Sequence, residues 1–350
     1  MTTEINFEGR IIGQHQSCFV IAEAGVNHNG SLDLAKELID AAIQAGADAV
    51  KFQTYKTDQI ASKSAPKAKY QLDKTAVTES QFEMLQRLEL TKPDFWKLKD
   101  YCQENGIIFL STPFDRDSVD LLEELNIPAF KIASGELTND FLLEYIAEKG
   151  KPIILSTGMS DLKEVSDAVD IIHKNGNDQL VLLHCVSNYP ADPSEVNLRA
   201  MQTMREKFQL PIGYSDHTLG IEVPLAAVAL GACVIEKHFT LDRKLPGPDH
   251  QASATPEELE DMILGIRKVE ESLGHGRKVP SARESNTAAV ARRSLVASED
   301  IILGTIIEEK HINIMRPGTG LPPRMLAEVI GKKAEMNISV GSLISLEMLS

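Results

Sequence analysis

The sequence predicts an α/β fold, an eight-stranded parallel (β/α)8 TIM barrel followed by a smaller domain, and three observations carry this prediction. Eight short apolar runs rich in β-branched residues recur over the first 235 residues. Helix-like segments separate these runs, and alternating strands and helices favour a parallel sheet. Polar residues follow nearly every run, as expected where the carboxyl ends of strands meet at the mouth of a barrel.

Each apolar run is short enough for a buried strand, and the segments around it have helical patterns. Ser31 is the predicted N-cap of the helix after the first run. In two similar tracts, Ala45-Gly-Ala-Asp-Ala-Val-Lys51 and Leu230-Gly-Ala-Cys-Val-Ile-Glu-Lys237, a glycine ends a helix just before a strand, which favours repeated units. In chain order the runs are residues 19–22, 49–52, 107–110, 129–132, 152–155, 180–183, 211–214 and 233–235.

The composition of the chain changes after a predicted helix at residues 256–273. We assign residues 1–273 to the barrel domain, 274–291 to a linker and 292–350 to a small, mostly β domain. Residues 57–78 are polar and lysine-rich. They are interpreted either as a loop inserted over the barrel mouth or as an ordinary surface loop.

The overall composition restricts the partners of this protein. With 350 residues, 43% apolar and 25% charged, it is an ordinary globular chain, and its formal charge is −15. Binding to nucleic acid or to an anionic membrane needs a clustered positive field, so neither partner is expected. No apolar run reaches the roughly 18 residues of a membrane span, and no signal pattern is seen. Reduced thiols and a cytoplasmic location are predicted, with separated cysteines at Cys18, Cys102, Cys185 and Cys233.

Lysines and serines at the strand ends suggest a small anionic substrate. Lys51 and Lys131 belong to the second and fourth strand ends, and the hydroxyl groups of Ser134, Ser156 and Ser215 are expected close by. Ammonium and hydroxyl groups together suit a molecule that carries phosphate and carboxylate. Alternatively, each lysine forms a structural ion pair with a nearby glutamate.

Three acidic residues, Glu23, Glu136 and Asp249, either bind sugar hydroxyls and move protons or lie in solvent.

The glycine-containing tract at residues 24–30 has neither the Walker nor the dinucleotide spacing, so nucleotide binding is not predicted. No serine or cysteine triad is evident from order or motif, and Cys185 beside His184 is interpreted as a core residue.

Two histidines, His217 and His238, end the seventh and eighth apolar runs. Adjacent parallel strands would bring both to the same mouth of the barrel. Two imidazoles at one place are a candidate divalent-metal pair. The alternative is that one histidine supports a loop and the other is half-buried.

Ordered motifs along nearly the whole chain closely resemble the sialic acid synthase family, which includes the bacterial N-acetylneuraminate, legionaminate and pseudaminate synthases. In the tail, Arg316-Pro-Gly-Thr-Gly is similar to the antifreeze-like (SAF) domain that ends these enzymes. The remaining motifs are Ile-Ala-Glu23-Ala-Gly-Val-Asn-His-Asn-Gly, Val-Lys51-Phe-Gln53-Thr, Leu-Ser-Thr112-Pro-Phe-Asp, Phe-Lys131-Ile-Ala-Ser134-Gly-Glu136, Ile-Leu-Ser156-Thr-Gly-Met, Gly-Tyr-Ser215-Asp-His217-Thr, Ile-Glu236-Lys-His238-Phe-Thr-Leu-Asp and Pro-Gly-Pro-Asp249-His.

The resemblance implies a TIM barrel joined by a linker to a SAF domain, in a domain-swapped homodimer that condenses phosphoenolpyruvate with an N-acylated mannosamine-type sugar. It implies that His217 and His238 bind Mn²⁺ or Mg²⁺ and that Arg316 holds the N-acyl group in the partner subunit's site. The implied phosphoenolpyruvate ligands are Lys51, Lys131, Ser134, Ser156 and Ser215, with Ser187 where other members often carry asparagine. The residues implied to face the sugar are Glu23, Gln53, Thr112, Glu136, Tyr189 and Asp249.

The implied reaction begins with attack of C3 of the enol phosphate on the metal-polarised aldehyde of the open-chain sugar. Water then adds at C2, and phosphate leaves with cleavage of the C–O bond. Glu23 is the carboxylate expected closest to this chemistry, with His217 and His238 beside it. The assignment of Glu23 as a base is a hypothesis.

Three tracts, Phe52-Gln-Thr-Tyr, Ala65-Pro-Lys-Ala-Lys-Tyr-Gln and Pro-Gly-Pro-Asp249-His, resemble the acetylneuraminate and legionaminate branches. The leading prediction is N-acetylneuraminate synthase acting on N-acetylmannosamine. The alternative is legionaminate synthase acting on 2,4-diacetamido-2,4,6-trideoxymannose. A keto-acid synthase for a phosphorylated aldose would need further Arg or Lys at the strand ends, and a sugar-binding protein with an inert barrel would not need catalytic groups there.

Overall fold

A short hairpin, β1 (Ile5–Phe7) with β2 (Arg10–Ile12), precedes eight parallel strands in the first of two compact units, Met1–Gly274. A computed structural model describes residues 4–67 and 79–350 of the protein. The eight strands start within one residue of the predicted positions. They are β3 (Phe19–Gly25), β4 (Ala49–Thr54), β5 (Ile108–Pro113), β6 (Phe130–Ile132), β7 (Ile153–Ser156), β8 (Leu180–Cys185), β9 (Ile212–Asp216) and β10 (Val234–His238).

The eight strands form one parallel sheet that confirms the predicted barrel. Successive strands pair from β3 to β5 and from β6 to β10, and β10 pairs back onto β3. The two ends of this ladder, β5 and β6, lie side by side, so the barrel is nearly closed. Several strands are longer than predicted, and β3 continues to Gly25, because backbone pairing extends past the point where side chains become polar.

Helices occupy the segments between the strands. Ser31 caps α1 (Leu32–Gln44) as predicted, since its Oγ accepts a hydrogen bond from the Leu34 amide at 3.3 Å. The predicted helix at residues 256–273 is also confirmed. The other helices of this unit are α2 (Thr57–Ile60), α3 (Gln81–Leu88), α4 (Lys92–Glu104), α5 (Arg116–Glu124), α6 (Asp140–Ala147), α7 (Leu162–Lys174), α8 (Ala200–Phe208), α9 (Glu222–Ala229) and α10 (Pro256–Leu273).

The polar segment at residues 57–78 is described only in its first part. It opens with helix α2, and Lys67 Nζ lies 3.1 Å from Glu79 Oε2. Residues 68–78 lie outside the described residues. The choice between an inserted loop over the mouth and an ordinary surface loop therefore stays open.

Two apolar layers lie on the two faces of the barrel sheet, and the alternation of side chains along each strand decides which layer a residue joins. Val20 belongs to the layer between sheet and helices, whereas Phe19 and Ile21 belong to the layer inside the barrel. The hairpin joins this inner layer, and the Phe7 ring meets the Phe19 ring edge-on at 5.8 Å. Glu23 is the next residue on the inward face of β3, so polar side chains continue the inner face toward the carboxyl ends.

The second compact unit, His275–Ser350, is small and mostly β, as predicted. Two strands, β11 (Ser294–Ala297) and β12 (Ile312–Met315), pair antiparallel, and isolated bridges join further segments. The unit has a separate aliphatic core that includes Leu295 and Ile344.

The linker residues include a helix. In the second unit, α11 (Glu284–Ala291) is followed by the short α12 (Leu326–Val329). Helix α11 occupies the last part of residues 274–291, while the two units divide between Gly274 and His275. The limits of the linker itself stay a prediction.

All four cysteines are buried free thiols, as predicted. Among the residues that the structure describes, none of the helices combines the length and apolar character needed to cross a bilayer.

Candidate active site

One cavity at the carboxyl ends of the barrel strands collects most of the side chains singled out from the sequence. Its volume is ≈ 380 Å³, and every strand from β3 to β10 contributes a side chain at or just beyond its carboxyl end. The predicted site residues that line it are Glu23, Lys51, Gln53, Thr112, Lys131, Ser134, Ser156, Ser187, Tyr189, Ser215, His217 and His238.

Three predicted site residues, all in the described part of the chain, do not line this cavity. Glu136 Oε2 accepts a hydrogen bond from Asn139 Nδ2 at 2.7 Å. Asp249 is buried, and burial raises its pKa to about 6. Arg316 belongs to the second unit, where its Nε donates to the Ala291 carbonyl at 3.1 Å. The contacts of these three residues with a sugar stay predictions.

The two predicted lysines lie on the inner face of the barrel and are 2–3% exposed. Lys131 Nζ donates to Ser156 Oγ at 2.7 Å, and Lys51 Nζ donates to Thr112 Oγ1 at 3.0 Å. Each ammonium group therefore has a hydroxyl beside it at the cavity wall. This arrangement can bind phosphate or carboxylate oxygens.

Glutamates also contact both lysines, so the two alternatives drawn from the sequence are not exclusive. Lys51 forms an ion pair with Glu23. Glu236 lies between the lysines, with Oε2 at 3.7 Å from Lys51 Nζ and Oε1 at 3.5 Å from Lys131 Nζ. The cavity therefore contains a buried network of both charges.

Burial and this network shift the pKa values of the two glutamates and the two lysines in different directions. Burial raises the pKa of Glu23 to about 7, although Lys51 acts against the rise. Burial also acts to raise the pKa of Glu236, but Lys131 and Lys51 outweigh it and lower that pKa. Burial lowers the pKa of Lys131, whereas at Lys51 the two carboxylates outweigh burial and raise the pKa. At neutral pH, Glu23 exchanges between acid and carboxylate forms while Glu236 stays ionised.

The turn after β7 places the backbone amide of Gly158 behind a side chain of the cavity wall. The Gly158 amide donates to Ser134 Oγ at 2.9 Å, and Ser134 Oγ lies 3.0 Å from Cys185 Sγ. A Cβ at position 158 would clash with Ser187 Oγ. Glycine therefore allows the hydroxyls of Ser134 and Ser187 to converge on one place, where they can donate to a phosphate oxygen.

His217 and His238 lie side by side at the ends of β9 and β10, with ring centroids 5.5 Å apart. His217 Nδ1 donates to the Val186 carbonyl at 2.6 Å, which leaves Nε2 with its lone pair. His238 Nδ1 is buried and has no hydrogen-bond partner among the described residues. Burial lowers the pKa of both rings, so both imidazoles are neutral at pH 7.

Two neutral imidazoles with available nitrogen atoms fit a divalent metal ion. Within residues 4–67 and 79–350, no group of three or more His, Cys, Asp or Glu side chains is arranged as a metal site. An ion bound by this pair would need substrate or water as its remaining ligands. The two histidines could therefore hold a divalent metal ion, and the metal itself stays a prediction.

The sequence-based prediction of the site omits Glu236 and Gly158. Glu236 had a usable signal, because it stands two residues before His238 in β10 and the alternation of a strand puts both on the inner face. Gly158 had no such signal, because its role depends on the approach of Ser134 and Ser187 from other strand ends.

The fold and the site together define an α/β-barrel protein with a cavity of lysine, hydroxyl and histidine side chains at its strand ends and an appended small β domain. Residues 38–278 match the NeuB family, and residues 292–350 match the SAF domain. The chain belongs to the NeuB family. The predicted resemblance to the sialic acid synthases and the predicted fold class are thereby confirmed.

Curated relatives are similar over nearly their full length. The N,N'-diacetyllegionaminic acid synthase of Legionella pneumophila is 50% identical over 95% of this chain and 94% of that protein. The protein of the same name from Campylobacter jejuni is 49% identical over 93% and 98%. The human N-acetylneuraminate-9-phosphate synthase is 36% identical over 97% and 95%.

A solved structure is similar to this chain in both fold and sequence. The N-acetylneuraminic acid (sialic acid) synthetase of Leptospira borgpetersenii, crystallised in complex with citrate, has a TM-score of 0.73 and 39% identity. The match covers 82% of this chain and 95% of that one.

Proposed function

We propose that this protein condenses phosphoenolpyruvate with an N-acylated mannosamine-type sugar, forming a nine-carbon 2-keto sugar acid and inorganic phosphate. One observation carries the proposal. Two buried lysines with their hydroxyl partners share a single cavity with two neutral histidines at the barrel mouth. The names of the relatives, synthases of legionaminic acid and of N-acetylneuraminate-9-phosphate, support this class of reaction.

Phosphoenolpyruvate would bind at the lysine side of the cavity. Lys51 and Lys131 offset the charge of its carboxylate and phosphate, and hydroxyl groups orient those oxygens. The hydroxyl donors would be Ser134, Ser156, Ser187 and Ser215. The sugar would be held by Gln53, Thr112, Glu136, Tyr189 and Asp249.

His217 and His238 would hold a divalent ion, Mn²⁺ or Mg²⁺. Such an ion supplies Lewis-acid polarisation of a carbonyl oxygen when it is bound. The neutral state and closeness of the two rings support this role. Tyr189 packs against His217 with ring centroids 4.2 Å apart and restricts the movement of that ring.

Glu23 would hold and move the proton of the hydration step. Its pKa near 7 suits a group that must accept and release a proton at neutral pH, and Gln53 Nε2 donates to its Oε1 at 3.4 Å. C3 of the enol phosphate forms the new bond to the sugar carbonyl carbon as the C=O double bond opens to an alkoxide. Water adds at C2 and gives one proton to the Glu23 carboxylate, which passes it on to the alkoxide. Phosphate leaves by C–O cleavage and takes the remaining proton of the C2 hydroxyl, so that the 2-keto group forms.

For the sugar, we favour 2,4-diacetamido-2,4,6-trideoxymannose over N-acetylmannosamine, the substrate of the leading sequence-based prediction. Identities of 50% and 49% to two legionaminic acid synthases, against 36% to the human acetylneuraminate-phosphate synthase, support this order. Discrimination between the two sugars depends on a few polar and apolar side chains at the mouth.

The test is phosphate release from phosphoenolpyruvate by the chelator-stripped protein, with each sugar alone and with both in competition, before and after addition of Mn²⁺. We expect metal-dependent release with either sugar and preference for the diacetamido sugar. Absence of release with both sugars would refute the synthase proposal. Preference for N-acetylmannosamine would reverse the order of the two substrates.

From the resemblance alone, we also propose a cytoplasmic, domain-swapped homodimer in which Arg316 of the partner subunit holds the N-acyl group. Arg316→Ala should raise the KM for the sugar and leave the KM for phosphoenolpyruvate unchanged. Arg324→Ala, an exposed arginine of the same unit, is the matched control. A monomer in light scattering, or an unchanged sugar KM, would contradict this arrangement.

A further inference from the structure

Glu236 is a buried carboxylate that contacts three of the groups proposed to bind phosphoenolpyruvate. Its Oε1 accepts from Ser215 Oγ at 3.0 Å and lies 3.5 Å from Lys131 Nζ, and its Oε2 lies 3.7 Å from Lys51 Nζ. Its side chain lines the cavity. Oε2 has no hydrogen-bond partner among the described residues.

This carboxylate is poorly satisfied for a group that only stabilises the fold. A buried charge with an oxygen lacking a hydrogen bond is costly, and Lys51 already has Glu23 as an ion-pair partner. An apolar residue at this point of β10 would avoid that cost only if Lys131, which Glu236 neutralises, were not needed in the cavity either. The position of Glu236 therefore indicates a role in what the cavity binds.

A neighbouring ion pair shows what a structural pair looks like in the same barrel. Asp216 pairs with Lys237, and its Oδ1 also accepts from Tyr214 OH at 3.1 Å and from Thr218 Oγ1 at 2.8 Å. Both members of this pair are described, and neither lines the cavity. Glu236 differs from Asp216 in facing the cavity and in having an oxygen, Oε2, that lies near an ammonium group but accepts no hydrogen bond from the described residues.

We propose that Glu236 is a positioning residue that serves as the resident counter-anion of the phosphoenolpyruvate site. It holds Lys51, Lys131 and Ser215 in place while the site is empty, and the incoming substrate competes with it for the same ammonium groups. This inference rests on the proposed function of the cavity.

The consequence is an exchange of one anion for another when substrate binds. A negative charge within 4 Å of both ammonium groups reduces their attraction for any further anion. Inorganic phosphate, the product, therefore binds weakly enough to leave. Without the charge of Glu236, phosphate should be held more tightly and turnover should slow.

The experiment compares the full-length wild type with Glu236→Gln and Glu236→Asp by calorimetric titration of inorganic phosphate, alongside kcat and KM for phosphoenolpyruvate. We expect Glu236→Gln to bind phosphate roughly tenfold more tightly and to lose at least roughly tenfold in kcat, because one charge near both lysines is removed. Glu236→Asp keeps the charge but withdraws it, so phosphate affinity should stay near wild type while kcat falls.

The control is Asp216→Asn, which removes a buried carboxylate that does not line the cavity. It should lower the thermal midpoint without tightening phosphate binding. Unchanged or weaker phosphate binding in Glu236→Gln would overturn the inference. A wild-type kcat in Glu236→Asp would also overturn it, so the aspartate variant tests the inference even where the glutamine variant does not fold. A wild type that releases no phosphate with either sugar would refute the proposed function instead.

Discussion

At the scale of single residues, Gly158 shows how a missing side chain creates binding space. A Cβ there would lie 2.8 Å from Cys185 Sγ and 2.9 Å from Ser134 Oγ, and closer still to Ser187 Oγ. All three atoms belong to flexible side chains, so the fold can absorb a methyl group. The hydroxyls of Ser134 and Ser187 cannot move without losing their convergence on one place.

Gly158→Ala should therefore impair binding and leave the fold intact. We expect the KM for phosphoenolpyruvate to rise by about tenfold, which corresponds to about 1.4 kcal/mol, with an unchanged circular dichroism spectrum. Steady-state kinetics measure this change. Gly265→Ala is the control, because its added Cβ would meet the Leu225 side chain, at 2.9 Å, and neither residue lines the cavity. An equal effect of both substitutions would show that the clash at position 158 is not the cause.

At the scale of secondary-structure elements, the hairpin β1–β2 completes the inner core of the barrel. Ile5, Phe7 and Ile12 are at most 2% exposed and join the same apolar cluster as Phe19. Strands of three residues give no periodic signal, so this element is absent from the sequence-based prediction. The hairpin stabilises the barrel by packing against its inner core, and the periodicity of the sequence gives no sign of that packing.

Phe7→Ala should lower the free energy of unfolding by about 3–5 kcal/mol, the cost of removing a buried phenylalanine ring. Urea unfolding followed by the fluorescence of Trp96, the single tryptophan, reports on the barrel unit. Ile11→Ala, at a hairpin position that is 42% exposed, should cost about 1 kcal/mol or less. Similar losses in the two variants would argue against a core role for the hairpin.

At the scale of the whole molecule, buried histidines make barrel stability depend on pH. Burial lowers the pKa of His28 and of His250 to about 4, from about 6.5. Below pH 6.5 these histidines become protonated in the unfolded chain but stay neutral in the folded barrel. The two neutral histidines therefore make their full contribution to the free energy of unfolding only above pH 6.5. It is lost as the pH falls to about 4, where the folded histidines also become protonated.

His28→Asn should remove one of these two contributions, because asparagine can still accept the Gly30 amide hydrogen bond at the place of His28 Nδ1 but does not titrate. Between pH 6.5 and 4, the wild type should lose about 3 kcal/mol more unfolding free energy than the variant. Urea unfolding at a series of pH values, followed by Trp96 fluorescence, measures this difference. Parallel pH profiles for the two proteins would contradict it.

The sequence by itself determined the order of strands and helices, the barrel, the small β domain and the family. The reason is that each of these depends on local patterns: apolar runs, a cap such as Ser31, and motifs such as Gly-Tyr-Ser215-Asp-His217-Thr. Because the carboxyl ends of the strands meet at one mouth of a barrel, the sequence also predicted that Lys51 and His238, far apart in the chain, would share one cavity. The structure places both in the same cavity.

Only the tertiary structure decided how those side chains contact one another. Three contacts depend on strand register and side-chain direction: the ion pairing of Glu236 with two lysines, the closeness of Ser187 to a Cβ at Gly158, and the packing of Phe7 beneath the barrel. Register is set by the pairing of all eight strands at once. No local stretch of sequence therefore specifies it, and the charge network of the cavity follows from it.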